Sequence, residues 1–192
     1  SMALVLLFLF LWNRIKKTNK PWVELIILAV ATALTTWIHG TWYLFILPLL
    51  ALVLARQWRV FMLMSGAMFL GVVCGAMLTG HPLVFLHQMI FHALEAFGKI
   101  DFQRQLVSEF QPFSGEALVF MLVGGLLLWR KVRGEWDNRV MDNPIFYLMC
   151  IGWAMGFFAG RFWTDWAWPA LAFWVALEFD TVLERYTDSF SW

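Results

Sequence analysis

Six long apolar runs, separated by short polar or charged segments, constrain this chain more than any other feature of its sequence. They cover approximately residues 21–38, 41–55, 60–79, 116–129, 144–159 and 167–177. Of the 192 residues, 61% are hydrophobic and 14% are charged, whereas soluble domains are about 45–50% apolar and about 25% charged. The pattern predicts an all-α fold, a polytopic transmembrane bundle of about six spanning helices with an external interfacial amphipathic helix.

The first twenty residues differ from these runs in length and charge. Ser1-Met2 is typical of the remnant of a removed purification tag. The apolar run 3–12 is too short to span a membrane, so it is either the end of a helix whose start is missing or an interfacial segment. We therefore expect a fragment of a longer membrane protein.

The charge pattern divides the rest of the chain. Residues 1–20 form a partial helix end and a basic cytoplasmic loop, 21–79 form three transmembrane helices, and 80–115 form an external amphipathic helix and loop. Residues 116–178 form three further transmembrane helices, and 179–192 form a cytoplasmic acidic tail.

Lysine and arginine residues alternate between connecting segments. Segments 13–20, 56–59 and 130–139 hold four, two and four of them, while segments 39–41, 80–115 and 160–166 hold zero, two and one. The positive-inside rule then places 13–20, 56–59 and 130–143 in the cytoplasm, and the long 80–115 loop and the 160–166 turn in the periplasm or lumen. All four histidines fall on that external side.

Segment 82–99 has one polar stripe. Gln88, His92, Glu95 and Lys99 follow at intervals of four, three and four, which predicts an amphipathic helix lying in the membrane interface. His92 and Glu95 are either an acid/base pair or part of a solvated face. Residues 101–115, which follow this helix, are polar, and we interpret them as an external loop.

Arg161 and Asp165 interrupt the apolar background between the fifth and sixth runs. Charge is costly at membrane depth, so such a break is a functional hypothesis. One interpretation is that Arg161 binds a phosphate or carboxylate while Asp165 orients the arginine side chain. The other is that the two residues form a salt-bridged turn between two helices. His39, at a helix end between tryptophans, is a further candidate at the interface.

Other classes of chemistry find little support in the sequence. No pair of histidines has the spacing of a metal site, and a net charge of +1 does not suggest nucleic acid. Gly71-x-x-x-Gly75 matches the small-residue pattern of packed membrane helices, which predicts a helix contact instead of chemistry.

Late in the chain, Arg161-Phe162 is followed by Asp165-Trp166 and Pro169, and the earlier segment 37–43 is an aromatic turn of sequence WIHGTWY. These motifs, with the short helices and the large external loop, resemble the membrane-embedded C-type glycosyltransferases, an oligosaccharyltransferase-like class that uses polyprenyl-phosphate sugar donors. That family carries its catalytic carboxylates in a first external loop, which this chain lacks. The resemblance implies the C-terminal half of such an enzyme, inactive alone.

The resemblance also implies a site and partners. A lipid phosphate would bind Arg161, with Asp165, His39, His92 and Glu95 as further site residues. Expected partners are membrane lipid, the polyprenyl-phosphate-linked substrate, and the missing N-terminal half or another membrane subunit, but not nucleic acid. A divalent metal is compatible with the whole family enzyme, although the sequence identifies no ligands for it and leaves the cofactor unknown.

Two other functions stay open. A transporter or flippase half would explain discontinuous helices and a kink at Pro48, but its spanning helices should contain more ionisable groups than these do. A non-catalytic scaffold subunit would pack against its partners through small-residue faces.

Overall fold

The computed structural model describes residues 2–40, 42–98 and 142–188, together with 118, 119, 122, 123, 125, 126 and 129. Within these ranges all regular secondary structure is helical and no strand occurs, so the predicted all-α class is confirmed there. The polar loop 101–115, most of the fourth apolar run, the basic segment 130–139 and the end of the acidic tail lie outside the described residues.

Helix α1, Met2–Lys17, is part of the core. Val5, Phe8, Leu9, Trp12 and Ile15 are all at most 4% exposed. They recur at helical spacing, so one face of α1 is packed against the other helices. The short apolar run at the start of the chain is therefore a packed core helix in this structure.

Helices α2, Trp22–His39, and α4, Trp58–Met77, are long and apolar enough to cross a membrane. Their 18 and 20 residues correspond to about 27 and 30 Å at 1.5 Å per residue. No other helix in the described part reaches that length with that composition. The expectation of about six spanning helices is thus met only in part.

The predicted contact at Gly71-x-x-x-Gly75 joins these two helices. A Cβ atom added to Gly71 would lie 2.5 Å from the Ala29 carbonyl oxygen and 2.7 Å from Thr32 Cβ, and one added to Gly75 would meet the Ala33 carbonyl. The missing side chains let the two backbones approach closely, as in packed membrane helices. The packing prediction for this motif is confirmed.

Between them the chain forms a 3₁₀ turn, Trp42–Phe45, and the short helix α3, Ile46–Leu54. Pro48 lies in the first turn of α3. An N–H group there has no partner within the helix, so proline is tolerated. The expected second helix over 41–55 is thus a 3₁₀ turn followed directly by an α-helix, with Pro48 two residues after the change.

Helix α5, Pro82–Gly98, follows a glycine turn at Gly80, whose φ is 79°. Phe85 and Met89 lie against Gly40, the residue that ends α2 in the left-handed conformation. His81, His87 and His92 are exposed. The predicted helix over 82–99 is confirmed as a helix, and it crosses the end of α2.

Helix α6, Pro144–Gly156, begins at an Asn143 cap, where the Asn143 side chain accepts a hydrogen bond from the Ile145 N–H at 3.0 Å. The chain then turns at Phe157–Ala159 and is helical from Gly160 to Asp188. This last stretch is one helical turn, Gly160–Phe162, a π-helical segment, Trp163–Ala167, and helix α7, Trp168–Asp188. Helix α7 continues well past Leu177, where the sixth apolar run ends.

The segments that connect the helices lie at the two ends of the helices. At the basic end, made of 13–24, 56–59 and 142–144, the Gln57 side chain accepts a hydrogen bond from Trp12 Nε1 at 2.7 Å and donates one to the Asp142 carbonyl at 2.8 Å. Helices α2 and α4 run in parallel from there to the aromatic end, made of 39–45, 79–82 and 160–165. The two groups of connections therefore lie at opposite ends of the helices.

Candidate anion site at the aromatic end

Arg161 and Asp165 lie on a helix and not in a break between helices. The actual break is Phe157–Ala159, a few residues earlier, and the predicted turn at 160–166 is helical throughout. The charges of this pair suggested a loop in an apolar background. Their i,i+4 spacing, however, places them on one face of a helix. One alternative was a salt-bridged turn between two helices. The ion pair exists, but the backbone that carries it is helical and not a turn.

The π-helical form of Trp163–Ala167 follows from Pro169. Proline has no N–H and its ring collides with the carbonyl of residue i−4, which here is Asp165. The preceding Trp168 N–H instead donates to the Trp163 carbonyl, five residues back. One wide turn thus accommodates the proline without ending the helix, and π turns of this kind are frequent at functional sites.

The ion pair fixes the arginine. Arg161 Nε lies 3.0 Å from Asp165 Oδ2, and the two side chains are 48% and 19% exposed. A pair this exposed adds little stability, about 0–1 kcal/mol. Its effect is to hold one edge of the guanidinium against the helix while the arginine side chain stays accessible.

Tyr43 lies near Arg161. Burial raises the pKa of its phenol, and the nearby positive charge of Arg161 lowers it. The 3₁₀ turn and the π-helical segment also pack on the same helix, because Phe45 and Trp166 line one small apolar crevice together with Val5 and Phe8 of α1. The two segments are therefore held side by side by the core beneath them.

Two buried indole groups lack partners beside these residues. Within the described part of the chain, Trp42 Nε1 and Trp163 Nε1 are inaccessible and make no hydrogen bond. A buried donor without an acceptor costs about 1–3 kcal/mol. Both indole N–H groups are directed into the protein, so neither is available to a ligand at the exposed Arg161 side chain.

The other candidates are not joined to this pair. His39 is the exposed last residue of α2, and His92 is exposed on α5. No contact links either histidine to Arg161 among the described side chains, and the side chain of Glu95 lies outside them. Only Arg161 and Asp165, of the five residues predicted to line the site, are shown together.

No metal centre is visible in what the structure describes. Its residues contain no group of three or more His, Cys, Asp or Glu side chains placed to hold a metal ion.

Sequence reasoning missed two contributors. Gly152 and Gly156 of α6 repeat the small-xxx-small spacing, and a Cβ at Gly152 would lie 2.7 Å from the Ala167 nitrogen. Spacing alone would have revealed this motif. The role of Tyr43 had no such signal, since its nearness to Arg161 depends on how distant segments pack.

Comparison of the chain with models of known protein families, with curated proteins and with solved structures gives no significant match.

Proposed function

We propose that this chain is the multi-pass membrane part of a glycosyltransferase that uses a polyprenyl-phosphate-linked sugar. In this proposal the basic end faces the cytoplasm and the aromatic end faces the periplasm or lumen. Arg161 binds the lipid phosphate, and another part of the protein or another subunit supplies the catalytic carboxylates. The observation that carries the proposal is the accessible Arg161, held by Asp165 beside Tyr43 at the end of apolar helices.

The donor set suits a phosphate group. A guanidinium offers several N–H groups in a planar fork that matches phosphate oxygens. Asp165 engages the Nε edge, which fixes the plane of the fork in advance. The Tyr43 phenol is protonated at neutral pH, as burial raises its pKa above the ordinary value of 10, so it offers a hydrogen-bond donor and adds no negative charge.

The surface of the helices suits a lipid-linked substrate. On α2, Ile26, Val30 and Leu34 are 62%, 54% and 45% exposed, and on α4, Phe69 and Leu70 are 68% and 61% exposed. Large contiguous apolar surfaces are rare on soluble monomers. A polyprenyl chain in the bilayer would reach the aromatic end along such surfaces.

The structure weakens the cues for the two other functions. Both small-residue motifs are used inside the chain, Gly71 and Gly75 by α2, Gly152 and Gly156 by the π-helical segment. A scaffold subunit would need them on a free surface. For the transporter, the remaining objection is that the spanning helices α2 and α4 contain few ionisable groups.

The test is phosphate-dependent lipid binding. The purified chain in neutral detergent should retain a polyprenyl monophosphate and not the corresponding polyprenol in native mass spectrometry. Arg161→Ala should weaken retention about 10–100-fold, since a hydrogen bond to a charged group contributes about 1.5–3 kcal/mol. Asp165→Asn should have a smaller effect because the guanidinium remains.

Lys17→Ala, which removes one exposed cation at the end of α1, is the matched control and should leave retention unchanged. Equal retention of polyprenol and polyprenyl phosphate would contradict the proposal. A well-folded Arg161→Ala protein that binds the phosphate like the parent would contradict the assignment of Arg161.

A further inference from the structure

The basic end presents a continuous cationic surface assembled from two separate loops. Arg59 Nη2 donates to the Asn19 carbonyl at 3.4 Å, which ties the 56–59 loop to the 13–20 segment. The exposed cations on this surface are Arg14, Lys16, Lys17, Lys20, Arg56 and Arg59. Charges that are apart in the sequence thus form one patch.

The carboxylates described nearby do not neutralise the patch. Glu24 is 7% exposed, and its carboxylate accepts from Arg14 Nε at 3.1 Å, so it serves one cation only. Asp142, whose backbone carbonyl accepts from Gln57 Nε2, adds one exposed carboxylate at this end, so the described carboxylates number two against six cations. Lys16 Nζ lies over the Trp12 ring, 5.6 Å from its centroid, and Lys17, Lys20 and Arg56 are exposed.

Several of these cations occupy unfavourable positions within the protein. Lys20 precedes the start of α2, and Arg56 and Arg59 flank the start of α4. The positive end of a helix dipole disfavours cations. The N-cap residues Pro21 and Gln57 make no capping hydrogen bond; at α2 the Glu24 carboxylate in the first turn accepts a backbone N–H, whereas α4 has no acidic residue in its first turn. Uncapped N–H groups and cations together attract an anion.

The backbone of Arg56 ends helix α3. Its φ is 55°, the left-handed region that non-glycine residues rarely adopt. The Arg56 N–H donates to the Val53 carbonyl at 2.9 Å and the Gln57 N–H to the Leu52 carbonyl at 3.0 Å, so the left-handed residue closes α3 as in a Schellman motif and places Arg56 before the start of α4.

The nature of the anion follows from the neighbouring aromatic residues. Trp22 and Trp58, the first residues of α2 and α4, are 69% and 57% exposed. Exposed tryptophans at the start of long apolar helices lie at the headgroup level of a bilayer. Basic clusters immediately beside membrane helices bind anionic lipids.

We propose that the starts of α2 and α4, with Lys20, Arg56 and Arg59, form a binding site for the phosphate of an anionic phospholipid headgroup. Trp22 and Trp58 hold the glycerol and acyl region beside it. This site is at the opposite end from Arg161 and does not depend on the proposed enzymatic function.

Native mass spectrometry of the full chain tests this with phosphatidylglycerol against phosphatidylcholine. The expected result is preferential retention of phosphatidylglycerol. Arg56→Gln/Arg59→Gln should lower its affinity by about tenfold or more, as for loss of charge-assisted contacts. Lys16→Gln/Lys17→Gln removes the same charge at the end of α1 and should change affinity less than about threefold.

Three results would overturn the proposal. Equal retention of the two lipids by the parent chain excludes an anionic preference, whether or not the variants fold. Equal losses in the two double variants indicate diffuse charge without a site. Displacement of the lipid by millimolar inorganic phosphate or glycerol 3-phosphate indicates a site for a soluble anion instead.

Discussion

At the residue scale, glycines decide how closely the helices approach. Gly71 and Gly75 sit where any side chain would meet the carbonyls of Ala29 and Ala33. Gly66 lies on the same helix, where a Cβ would meet nothing within 4 Å. The sequence spacing predicted the first pair, because helical periodicity places i and i+4 on one face.

Gly71→Ala should destabilise the chain by about 1–3 kcal/mol, because the new methyl group forces α2 and α4 apart. Unfolding in mixed micelles of mild and denaturing detergent measures the change. Gly66→Ala is the matched control and should be neutral or stabilising by up to about 1 kcal/mol, since alanine is the better helix former. A reversed order of the two variants would show that the α2–α4 contact is not limiting.

At the element scale, the last helix departs most from what the sequence suggested. The cluster of charge and tryptophan at 160–169 has the composition of a loop, and Pro169 reinforces that interpretation. The i,i+4 spacing of Arg161 and Asp165 already fitted a helix, and their 3.0 Å contact shows it. Residue spacing could not predict the π turn. The turn forms because Pro169 is buried among other helices, which keep the chain around it helical.

Pro169→Ala should let the turn before it close from π to α geometry, since alanine restores the missing N–H. Losing one residue from the turn rotates Arg161 about 100° around the helix axis relative to α7. Binding of polyprenyl monophosphate should then fall towards the level of Arg161→Ala. Pro48→Ala, in the first turn of α3, is the control and should bind as the parent does. Unchanged binding by Pro169→Ala would show that the π turn does not position Arg161 for binding.

At the scale of the whole molecule, loop charge and loop position agree. The segments rich in lysine and arginine that the structure describes meet at the basic end, and the poor segments meet at the aromatic end. Composition and charge counts were sufficient for that division. They were insufficient for the site itself, because the approach of Tyr43 to Arg161 depends on Phe45 and Trp166 packing on α1.

Labelling of single cysteines in cells tests the proposed orientation. In a Cys74→Ala/Cys150→Ala background, Lys20→Cys and Arg56→Cys should react with a membrane-impermeant maleimide only after the cells are opened. His39→Cys and Thr164→Cys should react in intact cells, since all four positions are exposed and at opposite ends. Labelling of all four from one side would refute a membrane-spanning arrangement of α2.

The tryptophans of α2 set a condition on the surrounding bilayer. Trp22 and Trp37 are 69% and 50% exposed near the two ends of this helix. Fifteen residues separate them, about 22 Å along the axis, whereas a typical hydrocarbon core is about 30 Å thick. Seating both indoles at the water interfaces requires a bilayer several ångströms thinner than usual, and any tilt of α2 increases that difference. In the proposed orientation, short-chain lipids should fit this protein better than long-chain ones.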